Sequence, residues 1–280
     1  WAYNGYAFEM RFARHAHERL GVKTILEFED WHFARSSVFN PKSFLDWFFW
    51  WRSRNCFSSA FVVNQFLSEK LQGLNIPLYF LPSIVSDDIL DLGEVSPPFA
   101  DRSDSRVFCG YFGGLVAEKG AKFLLSIIEQ SIREELAIKW LVTGIGPFAS
   151  KFESLSLKHP NALTFLGKIS SEALIEQMGA VDVILNPHRP NNGVFPFKLT
   201  EAVGSGRLVI TSPVQLAEEL SWISDALLQL ELKHRDWLDA ITGAHSHYVQ
   251  LQAGIELARR IVKDELSLSG VGARVQPALL

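Results

Sequence analysis

Positive charge is not in surplus in this sequence: 27 Lys and Arg stand against 31 Asp and Glu, a net charge of −4. A broad nucleic-acid binder needs basic surface to neutralise phosphates, so that class recedes. Cysteine is scarce. Cys56 and Cys109 lie far apart without metal-site spacing, which fits a reducing, cytoplasmic location. No apolar run reaches the roughly 18 residues that span a bilayer, and no secretory-signal pattern is visible. Gly-x-Ser-x-Gly, Walker A and Gly-x-Gly-x-x-Gly are all missing. Hydrolase, nucleotide triphosphatase and ordinary dehydrogenase readings therefore lose ground. What is present suits a soluble globular protein of one or two domains: 280 residues, 48% hydrophobic and 21% charged. Its opening on Trp1, in "WAYNGYAFEM", reads as the inside of a folded pattern, so a fragment lacking upstream elements is expected.

Short β-like runs alternate with helical ones. Strands are expected at 22–29, 60–64 and 77–83, with a helix at 66–74. The stretch "GEVSPPFADRSDSR" (93–106) collects Pro, Gly, Ser and Asp without apolar periodicity and reads as a linker. Beyond it, strands are expected at 107–112, 138–144, 162–167, 181–187 and 207–212, with helices at 119–130, 147–157, 170–179 and 196–205. Near-continuous apolar strands between amphipathic helices imply a parallel sheet covered on both faces. The expected class is α/β, with two Rossmann-like domains facing across a cleft and the N-terminal one incomplete. The division runs as a partial N-terminal domain (1–92), the linker (93–106), a second domain (107–233), then helices and a Gly-containing tail (234–280).

In such sheets ligands gather beyond the carboxyl ends of the strands. "NNGVFPFKLTEAVGSGRLVI" (191–210) falls there. Pro196 suits a first helical turn, and on that helix Lys198 and Glu201 share a face three residues apart. The amides of Gly193, Val194 and Phe195 would point into the crevice, where a helix dipole favours an anion. An ordinary exposed Lys–Glu pair explains the same two residues.

Three further pieces follow strands in order: "GYFGGLVAEKGAKFLL", in which Lys119 and Gly120 open a helix, then "TGIGPF" (143–148) and "TFLGKIS" (164–170). With "FPFKLTEAVGSGRLVI", this order resembles the C-terminal domain of the retaining glycosyltransferases of the two-Rossmann-domain (GT-B) fold, family four in particular. The resemblance extends more loosely to the N-terminal half through "AYNGYAF", "ILEFED" and "VVNQFLSEKL". The family's loop commonly reads Gly-Arg-Leu-x-x-x-Lys-Gly, its Arg and Lys holding the donor diphosphate. Here Gly113 and Leu115 flank Gly114, which stands at the arginine position, while Lys119 matches. Of two family glutamates separated by seven residues, Glu201 matches the second, which binds ribose hydroxyls, and Gly193 replaces the first. The resemblance implies that Lys119, Lys198 and Glu201 serve catalysis. It also implies that Gly144 and Gly146 bring main chain close to the donor, and that the backbone of Gly167, Lys168 and Ile169 meets the nucleobase; taken singly, each loop is equally explained by an ordinary turn after a strand.

In "EFEDWHF", Glu27 and Glu29 share one strand face, while Asp30 and His32 fall in the following loop. By resemblance those two lie on the acceptor side. His15/His17 and His245/His247 are i, i+2 pairs in helix-like segments and point to different faces, and no Asp-x-Asp occurs, so no metal and no cofactor is expected. The aromatic run "FLDWFFWWRSRNCF" (44–57) reads first as an amphipathic helix packing under a loop or against absent N-terminal elements, with a membrane interface through residues 44–54 as the alternative.

The function implied is transfer of a sugar from a nucleotide-sugar to a sugar or lipid-linked acceptor hydroxyl with retention of configuration, in glycan or surface polysaccharide synthesis. Metal-independent hexosyl transfer is the enzyme type expected, at a cytoplasmic or peripheral inner-membrane location. A non-catalytic sugar-nucleotide binder or assembly protein of the same fold, or a sugar-nucleotide epimerase, remains open.

Overall fold

A computed structural model describes residues 1–29, 31, 41–81, 83–100, 104–188, 198–214, 216 and 218–279. The chain divides into two compact units. One holds the described residues within 1–84 and 269–279; the other holds those within 85–188 and 198–268.

The first unit is built on a four-stranded parallel sheet in the order β1 (Ala2–Tyr3), β2 (Ile25–Phe28), β3 (Ser59–Val62), β4 (Leu78–Phe80). α1 (Ala7–Leu20), α2 (Pro41–Ser53) and α3 (Gln65–Leu71) connect these strands. Side chains alternate along β2. Leu26 and Phe28 are fully buried, and Phe28 stacks on Trp50 of α2 at 5.2 Å. Two helix starts are held by side-chain oxygens. Asn64 accepts from the amide of Leu67 at 2.9 Å, and the buried Asp46 accepts from the amide of Ala7 at 2.8 Å. Such caps satisfy donors that have no partner within the helix.

The second unit carries six parallel strands: β5 (Val107–Phe112), β6 (Ile138–Thr143), β7 (Leu163–Gly167), β8 (Val183–Asn186), β9 (Leu208–Thr211) and β10 (Leu227–Gln229). Their order is β10-β9-β8-β5-β6-β7. The chain therefore reverses its direction of travel across the sheet between β5 and β8. Helices α4 (Asp87–Val95), α5 (Ala121–Arg133), α6 (Ala149–Lys158), α7 (Ser171–Gly179), α8 (Lys198–Gly204), α9 (His234–Thr242) and α10 (Ala244–Leu266) complete this unit. Strands β5, β6 and β9 read as apolar runs because both sheet faces are covered, and their central residues Cys109, Val142 and Val209 are fully buried. The two indoles sunk deepest in this core keep their N–H groups paired. Trp140 donates to the Ser131 hydroxyl at 2.8 Å and Trp237 to the Glu231 carbonyl at 2.9 Å.

Three local differences from the sequence reading have physical reasons. The helix expected from Lys119 starts at Ala121, because Gly120 sits at φ 75° and ends a short 3-10 turn, Ala117–Lys119. The Pro- and Ser-rich 93–106 stretch begins inside α4 and is tied to the second unit's sheet. There, the buried Asp182 carboxylate accepts from the amides of Phe99 at 2.7 Å and Phe108 at 3.0 Å. Beyond residue 266, where a Gly-containing tail is expected, lies α11 (Leu268–Leu279), whose Val271 is buried.

Candidate functional site

The reversal between β5 and β8 is the point at which a sheet of this order offers a ligand a crevice. A cavity of about 270 Å³ lies at this end of the second unit, lined by the carboxyl ends of β5, β6 and β7, the first turn of α7 and Lys198. Phe112, Gly113 and Gly114 leave β5, Thr143, Gly144 and Ile145 leave β6, and Gly167, Lys168 and Ile169 leave β7.

These loops are held to each other by backbone hydrogen bonds. Gly113 N–H donates to the Thr143 carbonyl at 3.3 Å, Leu115 N–H to Ile145 at 2.8 Å, and Gly144 N–H to Gly167 at 2.7 Å. The closeness demands glycine at three places, Gly120, Gly144 and Gly146. Gly144 has φ 135°, and a Cβ there would land on the Gly113 carbonyl oxygen; one on Gly120 would land on the carbonyl oxygen of Pro187, beyond β8. The loop after β5 is thus packed against the end of β8, at the reversal itself. Asn186 at the end of β8 is fixed in turn, donating to the Thr211 hydroxyl at 2.9 Å.

Charge at the crevice comes from lysines and a helix start. Lys198, the first residue of α8, lines it, and its Nζ lies 3.4 Å from a Glu201 carboxylate oxygen. The two side chains are 49% and 29% exposed, so the pair contributes about 0–1 kcal/mol and yields readily to a stronger partner. Lys119 is exposed on the 3-10 turn, and its side chain runs beside Gly114, Nζ lying 3.7 Å from where a Cβ on that glycine would stand. On the far wall, α7 begins with Ser170 as its cap, accepting from the Ala173 amide at 3.2 Å. The first-turn amides of that helix carry partial positive charge.

Of the sequence-derived candidates, the structure brings Gly113, Gly114, Gly144, Gly167, Lys168, Ile169 and Lys198 together around one cavity. Lys119, Gly146 and Glu201 stand beside it: Gly146 backs onto the main chain of Leu115, and Glu201 holds Lys198. Gly193, Val194, Phe195, Asp30 and His32 lie outside the described residues. The sequence reading passed over Ser170, Ser171 and Leu174, which also line the cavity. A serine directly before a helical pattern was the signal for them.

In the first unit, Glu27 and Glu29 share a sheet face as the alternation implies. Trp1 donates its indole N–H to Glu27, and the Tyr3 hydroxyl donates to Glu29 at 2.7 Å. Burial raises the Glu27 carboxyl above its usual range, against the lowering effect of the Trp1 indole. Among the described residues, no group of three or more His, Cys, Asp or Glu is placed to hold a metal ion.

The sequence pattern of the family described as glycosyl transferases group 1 matches residues 106–245, half of the chain and the part that builds this crevice. No curated protein sequence matches. Among solved structures, the sucrose-phosphate synthase of Thermosynechococcus elongatus superposes with a TM-score of 0.71 at 13% identity, over 99% of this chain and 72% of that one. Anabaena Alr3699/HepE, in complex with UDP and glucose, does so with a TM-score of 0.68 at 13% identity, over 99% and 76%. The lipopolysaccharide outer core galactosyltransferase WaaB gives 0.59 at 13% identity, over 99% and 74%. At such identities the likeness establishes the fold: two parallel Rossmann-like sheets of the GT-B type.

Proposed function

The chain belongs to the group 1 glycosyl transferases, and we propose that it transfers a sugar from a nucleotide-sugar donor to an acceptor hydroxyl with retention of configuration. The observation that carries this reading is the glycine-rich crevice with Lys198 beyond the carboxyl ends of β5, β6 and β7. Its chemistry suits a nucleoside diphosphate. Glycine-lined backbone admits a phosphate closely, the start of α7 favours negative charge, and lysines act as point charges on flexible stems. The Anabaena protein of the same fold, solved with UDP and glucose, supports that class of occupant.

In this reading the backbone of Gly167 to Ile169 meets the nucleobase, and Glu201 accepts from both ribose hydroxyls. Lys119 and Lys198 face the diphosphate, with the main chain of Gly113, Gly114, Gly144 and Gly146 and the amides of Gly193 to Phe195 around the donor. Lys198 exchanges Glu201 for a phosphate oxygen on binding, since their half-exposed pair is weak. The departing diphosphate takes the acceptor's proton on the same face. No protein nucleophile is needed, and the protein contributes positioning and neutralisation of developing charge. Asp30 and His32 serve the acceptor side.

A peripheral bilayer contact through α2 belongs to the same reading, with glycan or surface polysaccharide synthesis at the inner membrane face as its setting. Phe44, Trp47, Phe48 and Trp51 recur at helical spacing on one face of α2 and are 60%, 54%, 37% and 60% exposed, while Asp46 and Trp50 are buried. That helix turns an aromatic stripe outward, with Arg52 in its last turn and Arg11 of α1 5.3 Å from the Phe49 ring. Aromatic rings with basic residues suit an anionic interface. Among the described residues no helix is long and apolar enough to cross a membrane.

Thermal melting with UDP, GDP, ADP and dTDP tests the donor site. At a hundred times the dissociation constant, a bound nucleotide stabilises by about 2.7 kcal/mol, a rise of roughly 5 °C for a chain of this length. One nucleotide is expected to produce it, and Glu201→Ala to abolish it. No rise with any of the four, in folded protein, would defeat the donor reading. Donor breakdown that needs no acceptor would instead indicate epimerase chemistry, and binding without turnover a non-catalytic binder.

A further inference from the structure

The loop leaving β5 contains two consecutive glycines, Gly113 and Gly114, before it reaches the 3-10 turn that ends at Lys119. Glycine loses more backbone freedom on ordering than any other residue. A ligand-binding loop built this way therefore needs a constraint from outside its own sequence. A buried hydroxyl supplies one. Tyr111, on β5 and only 5% exposed, donates its phenolic O–H to the Gly114 carbonyl at 2.8 Å, with the Lys119 carbonyl 3.3 Å from the same oxygen.

That single oxygen bridges both ends of the segment from Gly114 to Lys119. The ring packs in the hydrophobic core of the second unit, so packing is served by the ring and the hydroxyl is left for the loop. Burial pushes the phenol above its usual range, which keeps it a proton donor at neutral pH. The span it fixes is the one along which the Lys119 side chain lies beside Gly114. With glycine at 114, the loop's own cation is Lys119, and its placement depends on the main chain that Tyr111 holds.

We propose that Tyr111 is a positioning residue for the donor diphosphate: its hydroxyl sets the separation of Gly114 and Lys119 so that the glycine main chain and the ammonium group meet one phosphate group. This rests on the donor reading above.

Tyr111→Phe keeps the ring and removes only the hydroxyl. Calorimetric titration would compare wild type and variant with whichever of UDP, GDP, ADP or dTDP binds wild type, and with the matching nucleoside. The variant is expected to bind the diphosphate about fivefold more weakly, the worth of one hydrogen bond, and the nucleoside within about twofold of wild type. Amide hydrogen exchange at Leu115, Lys119 and Gly120 should also quicken. Equal losses for diphosphate and nucleoside would mean a general packing defect and overturn the proposal, as would unchanged diphosphate affinity. If wild type binds none of the four diphosphates, the donor reading fails and this proposal falls with it.

Discussion

Replacing Gly144 by alanine should damage the crevice far more than replacing Gly167, although both glycines have positive φ and both line it. Gly144 lies at φ 135° and Gly167 at φ 62°. The first value is in a region essentially reserved for glycine, where another residue costs about 1–3 kcal/mol. The second is left-handed helical, costing alanine about 1–2 kcal/mol. Space then separates the two. A Cβ on Gly144 would strike the Gly113 carbonyl oxygen, whereas nothing lies within 4 Å of one on Gly167. Relieving the clash means moving the β5 loop away from the β6 loop, which weakens the bonds from Gly113 to Thr143 and from Leu115 to Ile145, each worth about 0.5–1.5 kcal/mol. The expected totals are about 2–6 kcal/mol for Gly144→Ala and about 1–2 kcal/mol for Gly167→Ala. Urea unfolding followed by tryptophan fluorescence reads this out, since Trp140 and Trp237 are buried in the same unit at 1% and 0% exposure. A Gly144→Ala variant within about 0.5 kcal/mol of wild type, or a Gly167→Ala variant equally damaged, would refute the close-approach reasoning.

Ser131→Ala leaves the Trp140 indole N–H, 1% exposed, without its acceptor; a loss of about 1–3 kcal/mol is expected in the same urea assay. Tyr3 has its phenol pushed up to about 12 from 10.0, first by its hydrogen bond to Glu29, then by burial and by the charge of Glu29. The fold thus holds that proton more tightly than the unfolded chain does. Its contribution is complete below pH 10.0 and is lost as pH rises through about 12. An NMR titration of labelled tyrosine should place Tyr3 there, and Glu29→Ala should return it toward the ordinary value. Co-sedimentation with vesicles containing anionic phospholipid should capture the chain, and Trp47→Ser with Trp51→Ser should release it; equal capture of both forms would remove the bilayer from the account.

The second unit was the more legible half because its strands are buried on two faces. Val183 to Leu185 and Leu208 to Ile210 are apolar without interruption, so strand and neighbouring helix differ plainly in pattern. Single backbone torsions are not written in such a pattern: Gly120 was visible as a glycine, yet its left-handed turn, which delays α5 to Ala121, was not. Strands β1 and β10, with two and three residues, are too short to show any period. The crevice glycines could be read from their order at strand ends, since each strand delivers one loop. That Lys198 lines the cavity while Glu201 turns back to hold it depends on side-chain rotamers, about which spacing is silent. The outward aromatic stripe of α2 was readable as aromatic, but its exposure was not, because the same spacing also serves a core.

The strand order of the second unit also governs when binding competence arrives as the chain folds. β5 pairs with β6 through a connection of ordinary length, whereas its other neighbour comes from far along the chain: Cys109 pairs with Val183 and Gly110 with Ile184. Closing so long a loop is entropically unfavourable until the contact itself repays it, so such pairings form slowly. The loops around the crevice come from β5, β6 and β7, but Lys198 follows β8 in sequence, so its arrival at the site should wait on that distant pairing. On refolding, recovery of nucleotide affinity should therefore lag behind recovery of secondary structure, making ligand capture a clock for the final assembly of the sheet.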